Sequence, residues 1–224
     1  MQAQAEIQSP TQSTNPAIQY TDLSRSRKLA ALDIGRLQRL VLTGFMGAGK
    51  STIGRMLAGR LGWEFLDLDV SIEARTGLTV PAIFATHGEA HFRKLESQTL
   101  ASALGRQNVV IALGGGAPEV LTNRLLIEQT PATATIFLDA PFSTLFDRCM
   151  LQALNAPAAA NAADPSQLRP LLADPATAET RFRTRRPIYR RLSRLAVDTS
   201  ALTTEETVTG ILDALNVNRS STRL

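Results

Sequence analysis

An α/β fold with a parallel sheet covered by helices on both faces is the architecture this sequence predicts, and three observations predict it. Short apolar runs alternate with stretches of helical periodicity along the chain. The first clear run, Leu40-Val41-Leu42-Thr43, leads into Gly44-Phe45-Met46-Gly47-Ala48-Gly49-Lys50-Ser51-Thr52. The spacing from Gly44 to Gly49-Lys50-Ser51 fits a phosphate-binding P-loop. The residues best suited to chemistry also gather at the carboxyl ends of apolar runs: Gly44–Ser51, Asp67 with Asp69, and Gly114–Gly116. Open parallel sheets bind ligands at that edge.

Taken in order, residues 1–35 read as a flexible tail, dominated by Gln, Ser, Thr, Asn and Pro up to Tyr20, with a short helical pattern from Asp22 to Gly35. The folded domain is expected over 36–217, followed by a C-terminal tail at 218–224. Leu40–Thr43 is a buried strand, and Thr52–Leu61 a helix with Ile53, Met56, Leu57 and Leu61 at helical spacing, ended by Gly62. Trp63–Leu66 is a second strand running into Asp67-Leu68-Asp69. Helices are predicted over 70–75, 79–86 and 89–104, the last closed by Gly105. Val109–Leu113 is a strand that breaks at Gly114-Gly115-Gly116, and Pro118 opens another helix. Thr135–Leu138 is a fourth strand and Phe142–Leu154 a helix. Residues 155–177, rich in Ala, Pro, Asn and Asp, lack an apolar period and read as a lid. An arginine-rich helix over 178–193, a strand at Leu195–Val197 and a helix at Glu205–Leu215 complete the domain.

At 224 residues the chain suits one domain with extensions. Cys149 is its single cysteine, so no intrachain disulfide framework is possible. The first residues lack the pattern of a secretory signal, and no apolar run approaches the ~20 residues of a membrane span. A cytoplasmic location is the expectation. The net charge is +4, and seven arginines fall between Arg181 and Arg194 with no acidic residue among them. That cluster suits an anionic small-molecule site, a nucleic-acid surface or a solvated basic face. Without a nucleic-acid-binding motif beside it, the first reading is preferred.

In the P-loop, backbone N–H groups of Gly47, Ala48 and Gly49 would meet phosphate oxygens at the positive end of the following helix. Lys50 would reach the outer phosphates, and the Ser51 hydroxyl would ligate Mg2+. Asp67 and Asp69, two residues apart, would share one face if the strand continued through Leu68. One could then hold the metal through water while the other orients an acceptor hydroxyl and takes its proton. Helix capping by Asp69 is the alternative. The triple glycine offers either a close backbone approach to a ligand or a tight turn. Arg93 could capture a carboxylate bidentately or be a solvated helical arginine. His87 and His91, with Glu89 and Glu96 near, lack a third ligand for zinc. Arg169 ends the long irregular segment and could swing over the phosphates as it closes.

This ordered set resembles shikimate kinase, a small P-loop enzyme related to nucleoside-monophosphate kinases. The resemblance is carried by Gly44–Thr52, Asp67-Leu68-Asp69, Ile72-Glu73-Ala74-Arg75-Thr76-Gly77 and Ile83-Phe84 with Gly88-Glu89 and Phe92-Arg93. Gly114-Gly115-Gly116, Arg169-Pro170-Leu171-Leu172 and Arg185-Arg186-Pro187-Ile188-Tyr189 complete it. It runs from about residue 37 to 216. It implies a three-layer fold with five parallel strands in the order 2-3-1-4-5, flanked by helices and carrying a lid. It also implies transfer of the ATP γ-phosphate to the 3-hydroxyl of shikimate, in the route to chorismate and the aromatic amino acids. By position Lys50, Asp69 and Arg169 would be catalytic. Gly47, Ala48, Gly49, Lys50, Ser51, Thr52, Arg148 and Arg169 would bind the nucleotide, with Arg148 against the adenine. Asp69, Arg93, Gly115 and Arg185 would hold shikimate, and Ser51 and Asp67 the Mg2+. Shikimate and ATP are then the expected partners of a monomer, with no nucleic acid and no membrane. The segment before Arg169 is longer than in the compact family form, and the stretch from Leu172 to Pro187 is shorter. A related kinase acting on gluconate, or a non-catalytic ligand sensor, are the competing readings. The Asp pair, Phe92-Arg93 and the triple glycine together argue against the first, and residues 1–36 are too few for the DNA-binding domain a fused sensor requires.

Overall fold

Side-chain alternation along the strands decides how the layers form in the computed structural model, which describes residues 16–20, 34–154 and 174–216. Strand β2 (Arg39–Thr43) is buried throughout. Leu40 and Leu42 enter one apolar cluster and Val41 the other, as period-two geometry requires. Strands β3 (Glu64–Asp67), β4 (Val109–Ala112), β5 (Thr133–Asp139) and β6 (Leu195–Asp198) lie in the same sheet. The five run parallel in the spatial order β3-β4-β2-β5-β6, which is the 2-3-1-4-5 order expected.

Helices cover both faces. Helix α1 (Lys50–Leu61) contributes Ile53, Leu57 and Ala58 to the first cluster, where Val208, Ile211 and Leu215 of the last helix meet them. Helix α3 (Val80–Leu104) and α4 (Leu121–Gln129) supply Leu100, Leu104 and Ile127 to the second cluster. Each such fully buried aliphatic side chain contributes about 1.5–3 kcal/mol. A third, smaller cluster of Ile72, Ile83 and Phe92 joins α2 (Leu68–Thr76) to α3 away from the sheet. The chain continues through α5 (Phe142–Leu154), α6 (Pro175–Leu192) and, after β6, α7 (Thr204–Asn216).

Register brings the strand ends into line. Asp67 is level with Ala112, Thr43 with Phe137, and Asp139 with Asp198. The residues that follow, Gly44, Leu68, Leu113 and Ala140, therefore leave the sheet along one edge.

Several expectations are corrected. The second strand is shifted by one residue, to Glu64–Asp67. The helices expected at 79–86 and 89–104 are borne out as two helical segments of α3 that meet at a kink at Gly88, whose φ of 78° is non-helical. Pro118 lies in a 3-10 turn, Ala117–Glu119, and the α-helix begins at Leu121. The arginine-rich helix starts earlier, at Pro175, because Asp174 caps it by accepting from the Ala176 and Thr177 N–H groups. Residues 174–177, expected in the lid, belong to that helix and its cap; 155–173, 21–33 and 217–224 fall outside the described residues.

The reading of 1–35 as a tail misses one element. Strand β1 (Ile18–Tyr20) pairs antiparallel with β6, Ile18 level with Val197. Ile18 is 4 % exposed and packs into the first cluster. Three residues are too few for alternation to show above a polar, Pro-containing background. Ile18→Ala should lower the unfolding free energy by about 2 kcal/mol in urea denaturation, less than for a central strand because an edge strand can fray. An unchanged midpoint would show that β1 adds nothing to the core.

Candidate functional site

The phosphate side is built by β2, the loop after it and α1. Gly47 has φ 76°, and a Cβ there would overlap the Leu145 carbonyl of α5 and lie 3.0 Å from the Cys149 sulfur. Only glycine fits that position. Gly49 is the N-cap of α1 and no side chain caps the helix. First-turn N–H groups are thereby left for an anion. Lys50 Nζ donates to the Gly44 and Phe45 carbonyls at 2.9 and 3.0 Å, folding the cation over the loop. Ser51 Oγ donates to Asp67 Oδ2 at 2.6 Å.

Asp67 and Asp69 do not share a strand face. β3 ends at Asp67, whose Oδ1 accepts from the Asp69 N–H at 3.1 Å and caps α2. The capping role considered for Asp69 thus belongs to Asp67, and Asp69 stands in the first turn of α2. There Asp69 faces Gly114: a Cβ on that glycine would lie 2.8 Å from Asp69 Oδ1. Burial raises the Asp69 pKa, the Asp67 charge adds to the rise, and Lys50 opposes it.

The acceptor side gathers Asp69, Arg93, Gly114–Gly116 and Arg185, residues that the sequence scatters over more than a hundred positions. Arg93 Nη1 donates to Glu96 Oε2 at 2.8 Å and Nη2 to Glu89 Oε1 at 3.0 Å. A Cβ on Gly116 would overlap the Arg93 guanidinium, so this glycine makes room for the arginine. Arg185, 6 % exposed, lies against Gly115 and pairs with Glu119 at 2.7 Å. Tyr189, four residues on, donates its hydroxyl to the Gly115 carbonyl at 2.5 Å. Burial holds its phenol protonated well above the ordinary range.

Glu96 is the group that sequence reasoning missed. It is 0 % exposed, and burial, aided by the Asp69 charge, raises its pKa to about 7 against the pull of Arg93. Burial disfavours the Arg93 cation, but Glu96 and Glu89 outweigh this and hold its pKa above the usual value. Asp69 Oδ1, Glu96 Oε1 and Arg185 Nε are buried with no hydrogen-bond partner among the described residues. Polar groups so placed are suited to a ligand that brings both donors and acceptors. The readable signal for Glu96 was its spacing of three from Arg93 on one helical face.

Arg148, on α5, lies on the other flank. Its Nη1 and Nη2 donate to the Thr199 hydroxyl and carbonyl at 3.0 and 2.6 Å. Thr199 is itself tied to the Asp139 carbonyl, and Arg186 forks onto the Asp139 carboxylate at 2.8–3.1 Å. Neighbouring arginines on α6 therefore serve opposite sides. Arg169 lies outside the described residues. For Mg2+, the Ser51 hydroxyl and Asp67 carboxylate form a hard oxygen pair beside the loop, the donor type magnesium takes alongside phosphate oxygens and water. Among the described residues there is no group of three or more His, Cys, Asp or Glu that could hold a metal ion.

Comparison with known proteins bears on family and fold. The family model for shikimate kinase matches residues 46–216. A shikimate kinase of Methylococcus capsulatus is 38% identical over 188 residues, covering 84% of this chain and 96% of that protein. One of Symbiobacterium thermophilum is 38% identical over 177 residues, covering 79% and 95%. Among solved structures, the shikimate kinase from Acinetobacter baumannii in complex with shikimate superposes with a TM-score of 0.68 at 32% identity, over 84% of this chain and 96% of that one. A gluconokinase from Sinorhizobium meliloti, at 19% identity and a TM-score of 0.51, shares the fold alone.

The Glu96 shift has a measurable sign. The folded chain keeps a proton on Glu96 up to about pH 7, whereas an unfolded glutamate releases it near 4.5. Stability should therefore fall as pH rises through that window, by roughly 3 kcal/mol for this group. Urea denaturation of wild type and Glu96→Gln at pH 4.5 and pH 8 should reveal that loss in wild type and its absence in the variant. Parallel pH profiles would show Glu96 ionised throughout.

Proposed function

This chain belongs to the shikimate kinase family, and from that premise we propose that it transfers the ATP γ-phosphoryl group to the 3-hydroxyl of shikimate, giving shikimate 3-phosphate and ADP. One observation carries the reading: a phosphate loop and a carboxylate-plus-arginine acceptor site face each other, joined through Asp67. Such a site suits an acceptor with hydroxyls at one end and a carboxylate at the other.

Catalysis on this arrangement is positioning and electrostatics. N–H groups of Gly47–Thr52 cradle the phosphates. Lys50 leaves the Gly44 and Phe45 carbonyls for the transferring group. Ser51 and Asp67 hold the Mg2+, which when bound neutralises charge on the phosphates. Arg93, Arg185 and the backbone at Gly115 grip the shikimate carboxylate and aim the ring. Asp69 orients the 3-hydroxyl; as its oxygen bonds to the γ-phosphorus and the bond to ADP breaks, the hydroxyl proton passes to the Asp69 carboxylate. A pKa raised by burial makes Asp69 a better proton acceptor than an exposed aspartate. Arg148 flanks the adenine, and the same reading assigns Arg169 to the ATP phosphates. A cytoplasmic monomer, without nucleic acid or membrane, belongs to the same reading. No helix among the described residues is long and apolar enough to cross a membrane.

The test is ATP consumption against shikimate, gluconate and nucleoside monophosphates in parallel. Shikimate alone should stimulate ADP release; stimulation by gluconate instead would overturn the assignment. Lys50→Ala should cut the shikimate-dependent rate by at least about a hundred-fold with unchanged circular dichroism. A near-wild-type rate would remove Lys50 from the machinery.

A further inference from the structure

The acceptor side contains a carboxylate that phosphoryl transfer leaves unused. Glu119 ends the 3-10 turn that follows Gly114–Gly116, and its Oε2 lies 2.7 Å from Arg185 Nη2. The two partners differ in freedom: the Arg185 side chain is 8 % exposed and the Glu119 side chain 36 %. A guanidinium so buried requires a counter-charge. Glu119 supplies it from a short turn at the surface, pinned only through its backbone, the Glu119 N–H donating to the Gly116 carbonyl at 2.9 Å.

Arg93 makes the contrast. Its partner Glu96 is fully buried on the same helix and stays with it, while the exposed Glu89 adds a second contact. Arg93 is thus held by a buried partner on its own helix. Arg185 has no such buried acid bonded to it among the described residues, its Nε makes no hydrogen bond there, and its Nη2 is occupied by an acid that can rotate into water.

We propose that Glu119 is a displaceable stand-in for the substrate carboxylate, holding Arg185 until the substrate arrives and then yielding Nη2. One ion pair is exchanged for another of the same chemistry, so Arg185 is never buried without a partner. The exchange subtracts from binding, and Glu119 thereby sets the affinity for the acceptor and its preference for a carboxylate over a neutral group. The inference rests on the assignment of Arg185 to the acceptor's carboxylate. It makes Glu119 a specificity-determining residue with no part in the chemical step.

Calorimetric titration of wild type and Glu119→Gln with shikimate and with its methyl ester, alongside steady-state kinetics, tests this. Glu119→Gln should bind shikimate about three- to thirty-fold more tightly, with a matching fall in KM, the same kcat and unchanged affinity for the ester. A purely structural partner of Arg185 would give the opposite sign, so weakened or unchanged shikimate affinity in the folded variant overturns the proposal. Wild type that neither binds nor phosphorylates shikimate would instead overturn the functional reading. In that case cyclohexene carboxylate, which has the charge without the hydroxyls, decides Glu119 separately. Tighter binding by Glu119→Gln supports displacement, and equal binding refutes it.

Discussion

The site depends on one side chain, Asp67, which fixes two elements with its two oxygens. Oδ2 accepts from Ser51 at the head of α1, and Oδ1 accepts from the Asp69 N–H at the head of α2. The first contact ties the phosphate loop to β3, and the second starts α2 so that Asp69 turns toward Gly114. Since the register already aligns the strand ends, this carboxylate sets the remaining separation between donor and acceptor groups. The two oxygens divide the work: one caps α2 and the other stays beside Ser51.

Around that frame the acceptor side is a problem in balancing buried charge. Asp69, Glu96, Arg93 and Arg185 converge on three glycines whose missing side chains make the convergence possible. An isolated charge at such depth would be neutralised or expelled. Here each is countered by a neighbour, and the strain of the arrangement surfaces as the elevated Glu96 pKa of about 7. Glu119 and Glu89 supply further negative charge from the rim. Arg93 and Arg185 are thus each paired with a carboxylate, the chemistry proposed for the acceptor they would bind.

Much of this was legible in the sequence. The P-loop announces itself through local spacing, and the strand order came only as what the family resemblance implies. Lys50, Ser51, Asp67, Asp69, Arg93, Gly115 and Arg185 are brought together at the carboxyl ends of the strands, the edge at which the linear reading expected a ligand. What escaped depends on tertiary contact. Glu96 reads as an ordinary helical glutamate until Gly114 is folded against it. The shared-face expectation for Asp67 and Asp69 failed because β3 ends one residue before it would have to, and local pattern reads strand ends poorly. The pairing of Arg186 with Asp139 joins positions 47 apart, which no periodicity links. Arg185 and Arg186, adjacent in sequence, diverge because α6 turns successive side chains by about 100°.

Strand β1 has a bearing on the protein as a solute. A parallel sheet of this kind ends in strands whose outer N–H and C=O groups are unpaired, and such edges recruit strands from other molecules. Residues from the N-terminal stretch occupy the β6 edge, with the Asp198 N–H also donating to the Ala17 carbonyl at 2.7 Å. The ladder is three residues long and antiparallel to everything beside it, so it adds a cover without extending the fold's topology. A segment whose composition reads as featureless thus shields one flank of the sheet from edge-to-edge association, a service to solubility that catalysis would never reveal.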